Sequence, residues 1–551
     1  MAAVPDVRIR ARERHRRRPR SLRCAPARAG AGGAVRMAEQ PGVRCGARFC
    51  TYEQLYDGSL RATRGLVELG VGPGDRVALL LHNSIEFVQA SLATVPVGAV
   101  RVPINWHWRA EEVAYVLADS SAKALVVHAG LLGAIRASIP EGLLVIAVPA
   151  DAQPLQAGAC GDRARDLHGS PLDGVLWWPD WLAQYEPWAQ APESAPASMI
   201  YTSGTTGRPK GVVRSPPTDS QREATSALFG EIFQLAPGER TVIPAPLYHS
   251  APNAYASAAV LRGMHMTLMT SFDAEEFLRI VAEERITVVQ MVPTMFVRLL
   301  ALPERVRSRY ELSSLRWVVH AAAPCPPQVK RAMIEWWGPI VAEYYGGTET
   351  GPVTFATSEE WLARPGTVGR ALAQATVKIL DGDARELPAG ESGEVFMRLD
   401  VLSDFTYEGD PRKRRAVERN GLISCGDIGY LDAEGYLYLN DRASDMVISG
   451  GVNIYPAEIE ACLLSLPGVR DCAVFGIPDE QFGEALAAHV ELDDGAQLSA
   501  EDVRAHVHAR LAAYKTPRVV ELVQELPRED SGKIFKRRLR DPYWAGRDRA
   551  V

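Results

Sequence analysis

Glycines, hydroxyl side chains and one lysine are concentrated in residues 201–213, which read YTSGTTGRPKGVV. Glycines let the backbone approach a phosphate closely, hydroxyls donate hydrogen bonds to its oxygens, and an ammonium group balances its charge. The common P-loop has Ser or Thr directly after its lysine, whereas Gly211 follows Lys210 here. The candidate phosphate-binding residues are Thr202, Ser203, Gly204, Thr205, Thr206, Gly207 and Lys210.

The apolar residues before this loop, ASMI, predict a buried strand that ends where the loop begins. In open parallel sheets, ligands bind beyond the carboxyl ends of the strands. We therefore expect the loop to lie at the carboxyl edge of a parallel sheet. Taken alone, a Gly/Ser/Thr-rich segment is more often an ordinary surface loop, so the remaining motifs have to decide its role.

Helical patterns alternate with short apolar runs from about residue 51 onward. Residues 52–71 are helix-like, residues 74–82 read as a buried strand, and residues 84–98 are helix-like again. Such alternation predicts a parallel sheet covered on both faces. Alternating apolar positions after residue 366 predict a β-rich subdomain, and the pattern after residue 441 predicts a small α+β module.

The expected fold class is therefore α/β. A large N-terminal domain would contain parallel sheets covered by helices plus the β-rich subdomain, and a small α+β domain would follow it. We place the boundaries at residues 1–36 for an Arg-rich tail, 37–441 for the large domain and 442–551 for the small one.

Length and charge limit the class of protein. The 551 residues exceed the roughly 250–300 that one hydrophobic core supports. The net charge is −6, but eleven arginines in residues 1–36, against Asp6 and Glu13, give that tail +9 and leave −15 for the rest. An acidic body argues against nucleic-acid binding, which depends on neutralising phosphates. The tail lacks apolar periodicity, which favours disorder; a presequence, a basic binding arm and an extension upstream of a start at Met37 are the alternatives.

Other features favour a cytoplasmic location. No apolar run approaches the roughly 18 residues that a membrane span needs. The eight cysteines include no C-x-x-C pair, so they predict neither a disulfide framework nor a zinc site, and we expect reduced thiols.

Five further stretches follow the glycine-hydroxyl loop in order. They are APLYHSAPN (245–253), YYGGTETG (344–351), SCGDIGYLD (424–432), DRASDMVISGGVNIYPAEIE (441–460) and PREDSGKIFKRRLR (527–540). With YTSGTTGRPKG they resemble, over about residues 51–540, the motifs of the adenylate-forming superfamily: acyl-CoA synthetases, peptide-synthetase adenylation domains and beetle luciferases. The resemblance implies that a carboxylate attacks the α-phosphate of ATP, that pyrophosphate leaves, and that a thiol, usually of coenzyme A, then displaces AMP.

The resemblance also implies a nucleotide site. Glu349 would bind Mg²⁺, as a carboxylate can, and Thr348 would donate to the α-phosphate. Asp427 would accept hydrogen bonds from both ribose hydroxyls, and Arg442 would also reach the ribose. The implied adenine-binding residues are Ala322, Ala323, Pro324, Tyr345, which would stack on the base, and Gly346.

The C-terminal motifs resemble those of a mobile domain. Lys533 matches the lysine that enters the active site for adenylation, where its ammonium group would meet the oxygens that join the acid to the α-phosphate. The alternative is a solvated lysine in a basic tail. Residues 442–551 would then swing about a hinge at Ser444 for the second half-reaction. The implied pantetheine-tunnel residues are Ser449, Gly450 and Gly451.

The acyl group is less well defined by the sequence. His249 resembles the aromatic or imidazole residue at the mouth of the acyl pocket. The small side chains of HAAAPCP (320–326), with PTMFVRLL (293–300) nearby, predict a roomy apolar pocket that suits a bulky acid better than acetate. Three residues depart from the commonest family pattern, namely Cys425, Asp441 and Ser444.

The sequence thus favours an acyl-CoA ligase that uses ATP, Mg²⁺, coenzyme A and a carboxylic acid. One alternative is a stand-alone adenylation enzyme that loads a carrier protein. The other is a protein that performs only one half-reaction or only binds its ligands. The sequence leaves open the identity of the acid and whether the chain forms a homodimer.

Overall fold

A computed structural model describes residues 40–149, 174–190, 198–202, 209–442, 445–450, 452–528 and 534–545. Its contacts divide the chain into two units, Met1–Gln40 and Pro41–Val551. The predicted tail, residues 1–36, lies outside the described residues. All helices and strands of the described residues belong to the second unit.

The α-helices are α1 (Tyr52–Glu68), α2 (Ile85–Ala93), α3 (Ala110–Asp119), α4 (Ala129–Ile135), α5 (Trp178–Leu182), α6 (Asp219–Phe233), α7 (Ser250–Leu261), α8 (Ala274–Glu283), α9 (Pro293–Leu300), α10 (Glu304–Arg307), α11 (Pro327–Trp337), α12 (Ser358–Ala363), α13 (Pro411–Ala416), α14 (Pro456–Leu463), α15 (Ala500–Arg510) and α16 (Lys536–Arg540). Short 3₁₀ turns occupy Arg136–Ser138, Ala513–Lys515 and Asp541–Trp544.

The strands are β1 (Gly42–Cys45), β2 (Arg48–Thr51), β3 (Arg76–Leu80), β4 (Val100–Pro103), β5 (Ala122–His128), β6 (Leu144–Val148), β7 (Val175–Trp177), β8 (Ile200–Thr202), β9 (Lys210–Arg214), β10 (Arg240–Ile243), β11 (His265–Leu268), β12 (Val288–Met291), β13 (Trp317–His320), β14 (Val341–Gly347), β15 (Gly351–Ala356), β16 (Thr367–Ala371), β17 (Ala375–Leu380), β18 (Gly393–Leu399), β19 (Phe405–Tyr407), β20 (Glu418–Arg419), β21 (Leu422–Leu431), β22 (Tyr436–Arg442), β23 (Val447–Ser449), β24 (Val452–Ile454), β25 (Val469–Asp479), β26 (Gly483–Leu492) and β27 (Val519–Val523).

The first parallel sheet has the order β4-β3-β5-β6-β7. Every pair in it is parallel. Along β3, Val77 and Leu79 belong to one hydrophobic core, whereas Ala78 and Leu80 belong to another. Because successive side chains of a strand point to opposite faces, both faces of this sheet are buried, as the alternating sequence pattern predicts.

A second sheet contains fourteen of the described strands, and its path runs β17-β18-β21-β22-β16-β15-β14-β13-β12-β10-β11-β1-β2 with β20 beside β21. The strands from β14 to β1 are parallel to their neighbours. From β15 to β17 each neighbour is antiparallel. The β-rich segment predicted after residue 366 is therefore present, and its strands extend the parallel sheet.

The expected position of the glycine-hydroxyl loop is wrong in one respect. The strand before it, β8, lies in a three-stranded sheet of order β19-β9-β8, and β8 pairs antiparallel with β9. Only residues 203–209 separate these strands. A connection this short joins antiparallel strands, whereas parallel strands need a crossover of about a dozen residues or more.

The strands after residue 446 form a sheet of their own, β24-β23-β26-β25 with β27 beside β26. Its core includes Val447, Ile459, Val474, Val490 and Val507, which come from strands and from helices α14 and α15. This is the separate C-terminal α+β domain of the expected fold class. None of the described helices is long and apolar enough to cross a membrane.

Candidate nucleotide site

Several predicted motifs leave the large sheet at one edge. Because β10, β12, β13 and β14 run in the same direction, their carboxyl ends lie along that edge. His249 follows β10, Ala322 follows β13, and Glu349 follows β14. Ligands of parallel sheets bind at such an edge, so the fold itself brings these three segments to one side of the molecule.

The predicted adenine segment leaves β13 in a strained conformation. Ala322 has φ +75°, a left-handed conformation that costs a non-glycine residue about 1–2 kcal/mol. Strain of this kind is concentrated at ligand sites. Ala322 and Pro324 are exposed and Ala323 is half-buried. The segment therefore offers small, accessible side chains at the sheet edge, as a flat aromatic ligand requires.

The turn from β14 to β15 explains why Gly346 is a glycine. A Cβ on Gly346 would lie 1.8 Å from the main-chain oxygen of Gly351, so any side chain there would force the two strands apart. The next residue, Gly347, donates its N–H to Oγ1 of Thr350 at 2.9 Å. These contacts fix the backbone that leads into Thr348 and Glu349.

Gly346→Ala is expected to lower the free energy of unfolding by about 1–3 kcal/mol, as overpacking does, and to weaken AMP binding. Chemical denaturation and calorimetric AMP titration would measure the two effects. Gly382→Ala is the matched control, because a Cβ there meets no atom within 4 Å. A Gly346→Ala variant with the stability and AMP affinity of the unaltered protein would contradict this interpretation.

Glu349 is held by both its main chain and its side chain. The hydroxyl of Tyr407 donates to Oε1 of Glu349 at 3.0 Å. The Arg214 guanidinium donates to the main-chain oxygens of Thr348 and Glu349, each at 2.8 Å. The Lys210 ammonium lies 5.4 Å from the centre of the Tyr407 ring. Lys210, at the end of the glycine-hydroxyl loop, and the predicted metal-binding carboxylate therefore interact with the same tyrosine.

Asp427 has two donors around its carboxylate. The Tyr345 hydroxyl donates to Oδ2 at 2.6 Å, and Nε of Arg442 lies 3.3 Å from Oδ1. Strands β21 and β22 place Asp427 directly opposite Arg442. Burial, aided by the charge of Asp427, raises the pKa of Tyr345 well above its usual value, so the phenol keeps its proton and remains a donor. The predicted ribose acceptor, its arginine partner and the predicted adenine-stacking ring therefore form one cluster.

Asp427→Asn is expected to weaken AMP binding about 10- to 100-fold, because a hydrogen bond to a charged group contributes about 1.5–3 kcal/mol. Calorimetric titration with AMP would measure the loss. Asp400→Asn is the control, since Asp400 is half-exposed and pairs only with the exposed Arg398 among the described residues. Equal AMP affinity in the Asp427→Asn and Asp400→Asn variants would rule out the ribose role.

Cys425 lies near both Glu349 and Asp427. Its Sγ lies 2.6 Å from the position that a Cβ on Gly347 would occupy, and it is two residues from Asp427. Burial, together with the carboxylates of Glu349 and Asp427, raises the pKa of Cys425 well above that of a free thiol. The thiol is therefore protonated at neutral pH and packs against the turn.

Glu349 also has the chemistry that Mg²⁺ requires. Among the described residues, no group of three or more His, Cys, Asp or Glu side chains could hold a metal by itself, and no lysine or arginine within this part of the chain forms a salt bridge with Glu349. Mg²⁺ keeps several waters and is usually bound by one or two carboxylates plus substrate phosphates. A single carboxylate linked through Tyr407 to Lys210, the end of the predicted phosphate loop, therefore fits Mg²⁺ and would not retain it without nucleotide.

Several predicted site residues lie outside the described residues. They are Ser203, Gly204, Thr205, Thr206 and Gly207 of the loop, the hinge residue Ser444, Gly451, and Lys533. The two residues that flank the loop do lie within the described residues: Thr202 at the end of β8 pairs with Lys210 at the start of β9.

The predicted pantetheine segment lies in the C-terminal sheet. Ser449 ends β23 and pairs with Val452 and Gly483. Gly450 has φ +57° and donates its N–H to the main-chain oxygen of Phe482 at 2.8 Å. Ser449 and Gly450 therefore belong to a hairpin turn, and among the described residues their backbone partners are Val452, Phe482 and Gly483.

His249 stands at the start of α7, where the centre of its ring lies 4.4 Å from that of Tyr248. Hydrogen bonds from Asn83, a residue that the sequence motifs do not indicate, hold the loop before His249. The buried Asn83 side chain donates to the main-chain oxygens of Ala245 and Met269 at 3.0 and 2.9 Å and accepts from the Leu247 N–H at 2.8 Å. The Asn83 side chain follows β3 of the other parallel sheet. Its amide thus holds the segment that leads to His249.

The sequence motifs also do not indicate Arg214 and Tyr407, which contact Thr348 and Glu349. An arginine that ends the apolar run GVVR, four residues after Lys210, is a signal that could have identified Arg214. Tyr407 carries no such signal, because its role depends on the pairing of β19 with β9.

The chain matches two protein-family models. The model described as AMP-binding enzyme matches residues 34–402, and the model for the AMP-binding enzyme C-terminal domain matches residues 458–533. The first match contains the motifs at residues 201–211, 245–253 and 344–351, the second overlaps those at 441–460 and 527–540, and residues 424–432 lie between the two matches.

Individual proteins are similar to this chain over most of its length. The long-chain-fatty-acid–CoA ligase FadD13 of Mycobacterium tuberculosis is 33% identical, covering 90% of this chain and 93% of its own. The fatty acid–[acyl-carrier-protein] ligase ScoC of Streptomyces coeruleorubidus is 31% identical, covering 93% and 95%. The crystal structure of ATP-bound MatB from Rhodopseudomonas palustris has a TM-score of 0.78 at 28% identity and covers 92% of this chain and 97% of that one.

Proposed function

Because this chain belongs to the AMP-binding enzyme family and is of the acyl-CoA synthetase type, we propose that it adenylates a bulky, hydrophobic carboxylic acid with ATP. The acyl group then passes to the thiol of coenzyme A. The first half-reaction releases pyrophosphate and the second releases AMP.

The observation that carries this proposal is a series of neighbouring groups from Lys210 to Arg442. It passes from the lysine to Tyr407, from Tyr407 to Glu349, along the turn of Gly346 and Gly347, and through Cys425 to Asp427. The residues with predicted phosphate, metal and ribose roles are therefore neighbours in that order, which supports a nucleotide bound with its phosphates near Lys210 and its ribose near Asp427.

In the adenylation step, a carboxylate oxygen of the acid forms a bond to the α-phosphorus, and the bond to the bridging oxygen of pyrophosphate breaks. The reaction brings one anion to another, so donors and positive charge must be in place where charge develops. Thr348 would donate to the α-phosphate, and Lys210 with residues 202–207 would hold the β- and γ-phosphates. Mg²⁺ bound at Glu349 would offset phosphate charge. Asp427 and Arg442 would orient the ribose, with Ala322, Ala323, Pro324 and Tyr345 around the adenine.

The second step would use a different position of the small domain. The coenzyme A sulfur, having lost its proton, attacks the acyl carbonyl, and the carbon–oxygen bond to AMP breaks. We infer that residues 442–551 rotate about Ser444, so that Lys533 is withdrawn and Ser449, Gly450 and Gly451 line the pantetheine path. Lid and domain motions occur in many enzymes and often limit their turnover rates.

The size of the acid is inferred from the Ala-rich segment after β13 and from the name of FadD13, a ligase of long-chain fatty acids. His249 would lie at the pocket mouth, where the buried Asn83 holds the preceding loop. Comparable kcat/KM values for acetate and for a long-chain acid would contradict the preference for a bulky substrate.

A second candidate function is transfer to a carrier protein, which the similarity to ScoC favours. One experiment separates the two. Purified protein is incubated with ATP, Mg²⁺ and a panel of acids from acetate to palmitate, with coenzyme A or with a phosphopantetheinylated carrier protein, and products are identified by mass spectrometry. Acyl-CoA supports the proposal, and acyl-carrier product without acyl-CoA supports the alternative. Acid-dependent pyrophosphate release without either thioester indicates a single half-reaction.

A further inference from the structure

We propose that Arg214 is a positioning residue, which holds the backbone of Thr348 and Glu349 so that the α-phosphate donor and the metal ligand keep their places. The inference rests on the proposed function of those two residues. It assigns a role to an arginine that lies outside the nucleotide motifs identified from the sequence.

The hydrogen bonds of Arg214 converge on main-chain oxygens. Besides the two bonds to Thr348 and Glu349 at 2.8 Å, it donates to the Ser403 oxygen at 2.7 Å. A guanidinium has five N–H groups in a rigid planar fork, and three of them are directed at the backbone. Such a group is engaged as a brace and is poorly placed to bind a substrate anion as well.

The three carbonyls belong to segments that are far apart in sequence. Arg214 ends β9, which follows the glycine-hydroxyl loop, and Ser403 precedes β19. Thr348 and Glu349 lie in the turn between β14 and β15. One side chain therefore joins the small antiparallel sheet to the edge of the large sheet, at the point where the phosphates and the metal would lie.

The main-chain contacts of Arg214 act together with a side-chain contact. The Glu349 carboxylate, whose side chain is held by Tyr407, is thus fixed from two sides. Groups that orient a metal ligand in this way typically contribute about 10- to 100-fold to metal affinity or activity.

The test compares two variants. Arg214→Met removes the charge and the planar set of N–H donors, whereas Arg214→Lys keeps the charge. Arg222→Met is the control, because Arg222 lies on the exposed face of α6 beside Asp219. Mn²⁺ is titrated into each protein with α,β-methylene-ATP and followed by electron paramagnetic resonance, and kcat and the KM for ATP are measured separately. We expect Arg214→Met to lower Mn²⁺ affinity and kcat about tenfold or more, with little change in the KM for ATP, and Arg214→Lys to fall between.

Mn²⁺ affinity and kcat in Arg214→Met equal to those of Arg222→Met would overturn the proposal. So would a raised KM for ATP with unchanged kcat, because it would indicate direct contact with the nucleotide. If circular dichroism shows that Arg214→Met does not fold, Arg214→Lys decides, and unchanged Mn²⁺ affinity there refutes a role for the fork. Failure of the proposed function is a different result, namely no acid-dependent pyrophosphate release by the unaltered protein.

Discussion

Replacing Lys533 by alanine is expected to slow adenylation by about 10²–10³ or more, as the loss of an oxyanion donor does. Formation of the thioester from supplied acyl adenylate and coenzyme A should remain. The reason is that the ammonium group would act only where the carboxylate meets the α-phosphate. Pyrophosphate release and thioester formation, each measured in a single turnover, would report the two half-reactions separately.

Arg538→Ala is the control, because it removes a nearby exposed positive charge that lies over the Phe535 ring. An equal loss in both half-reactions of Lys533→Ala, or an equal effect of Arg538→Ala, would refute the assigned role. The alternative is that Lys533 is one of several solvated basic residues. Its neighbour Lys536 does not fit that description. Nζ of Lys536 lies 2.7 Å from Oε1 of Glu460, and, although burial opposes it, the charges of Glu460 and Asp441 raise the pKa of Lys536.

Lys330→Met is expected to lower the free energy of unfolding by about 3–5 kcal/mol, because it leaves a buried carboxylate without its partner. Nζ of Lys330 lies 2.6 Å from Oε2 of Glu343, and both side chains are buried. Burial, together with the charge of Lys330, lowers the pKa of the adjacent His320 well below its usual value, so Lys330 is the charged partner of Glu343 in this core. Urea denaturation followed by tryptophan fluorescence would measure the change.

Two further variants make this prediction specific. Lys330→Met combined with Glu343→Leu should recover much of the lost stability, since no unpaired charge stays in the core. Lys378→Met removes an exposed partner of Glu386 and should cost at most about 1 kcal/mol. The explanation fails if the double variant is no more stable than Lys330→Met, or if Lys378→Met is equally harmful.

The sequence was sufficient for the fold class because its patterns are local. Residues 52–71 predict a helix, and α1 covers Tyr52–Glu68, where Thr51 and Gln54 cap the first turn reciprocally. Apolar runs such as β3 are buried on both faces in a parallel sheet. Motif order also predicted residues that lie close together, since Tyr345 contacts Asp427 and Glu349 and Asp427 both act on Cys425; their nucleotide roles stay predictions.

What the sequence could not give are contacts between distant segments. The carbonyls that Arg214 binds are 134 and more residues away, and no periodicity encodes such a distance. The same holds for Asn83, which is bonded across 162 and more residues. Asp441 was identified as unusual, but its effect needed the structure: its carboxylate accepts the Ala457 N–H at the start of α14.

The most direct test of the central claim is the exchange of radioactive pyrophosphate into ATP without coenzyme A. Exchange reports the reversible adenylation step alone, because label enters ATP only when an acyl adenylate reacts with pyrophosphate. We predict exchange that requires a carboxylic acid and Mg²⁺ and that is greater for long-chain acids than for acetate. No acid-dependent exchange across a broad panel of acids would contradict adenylation at this site.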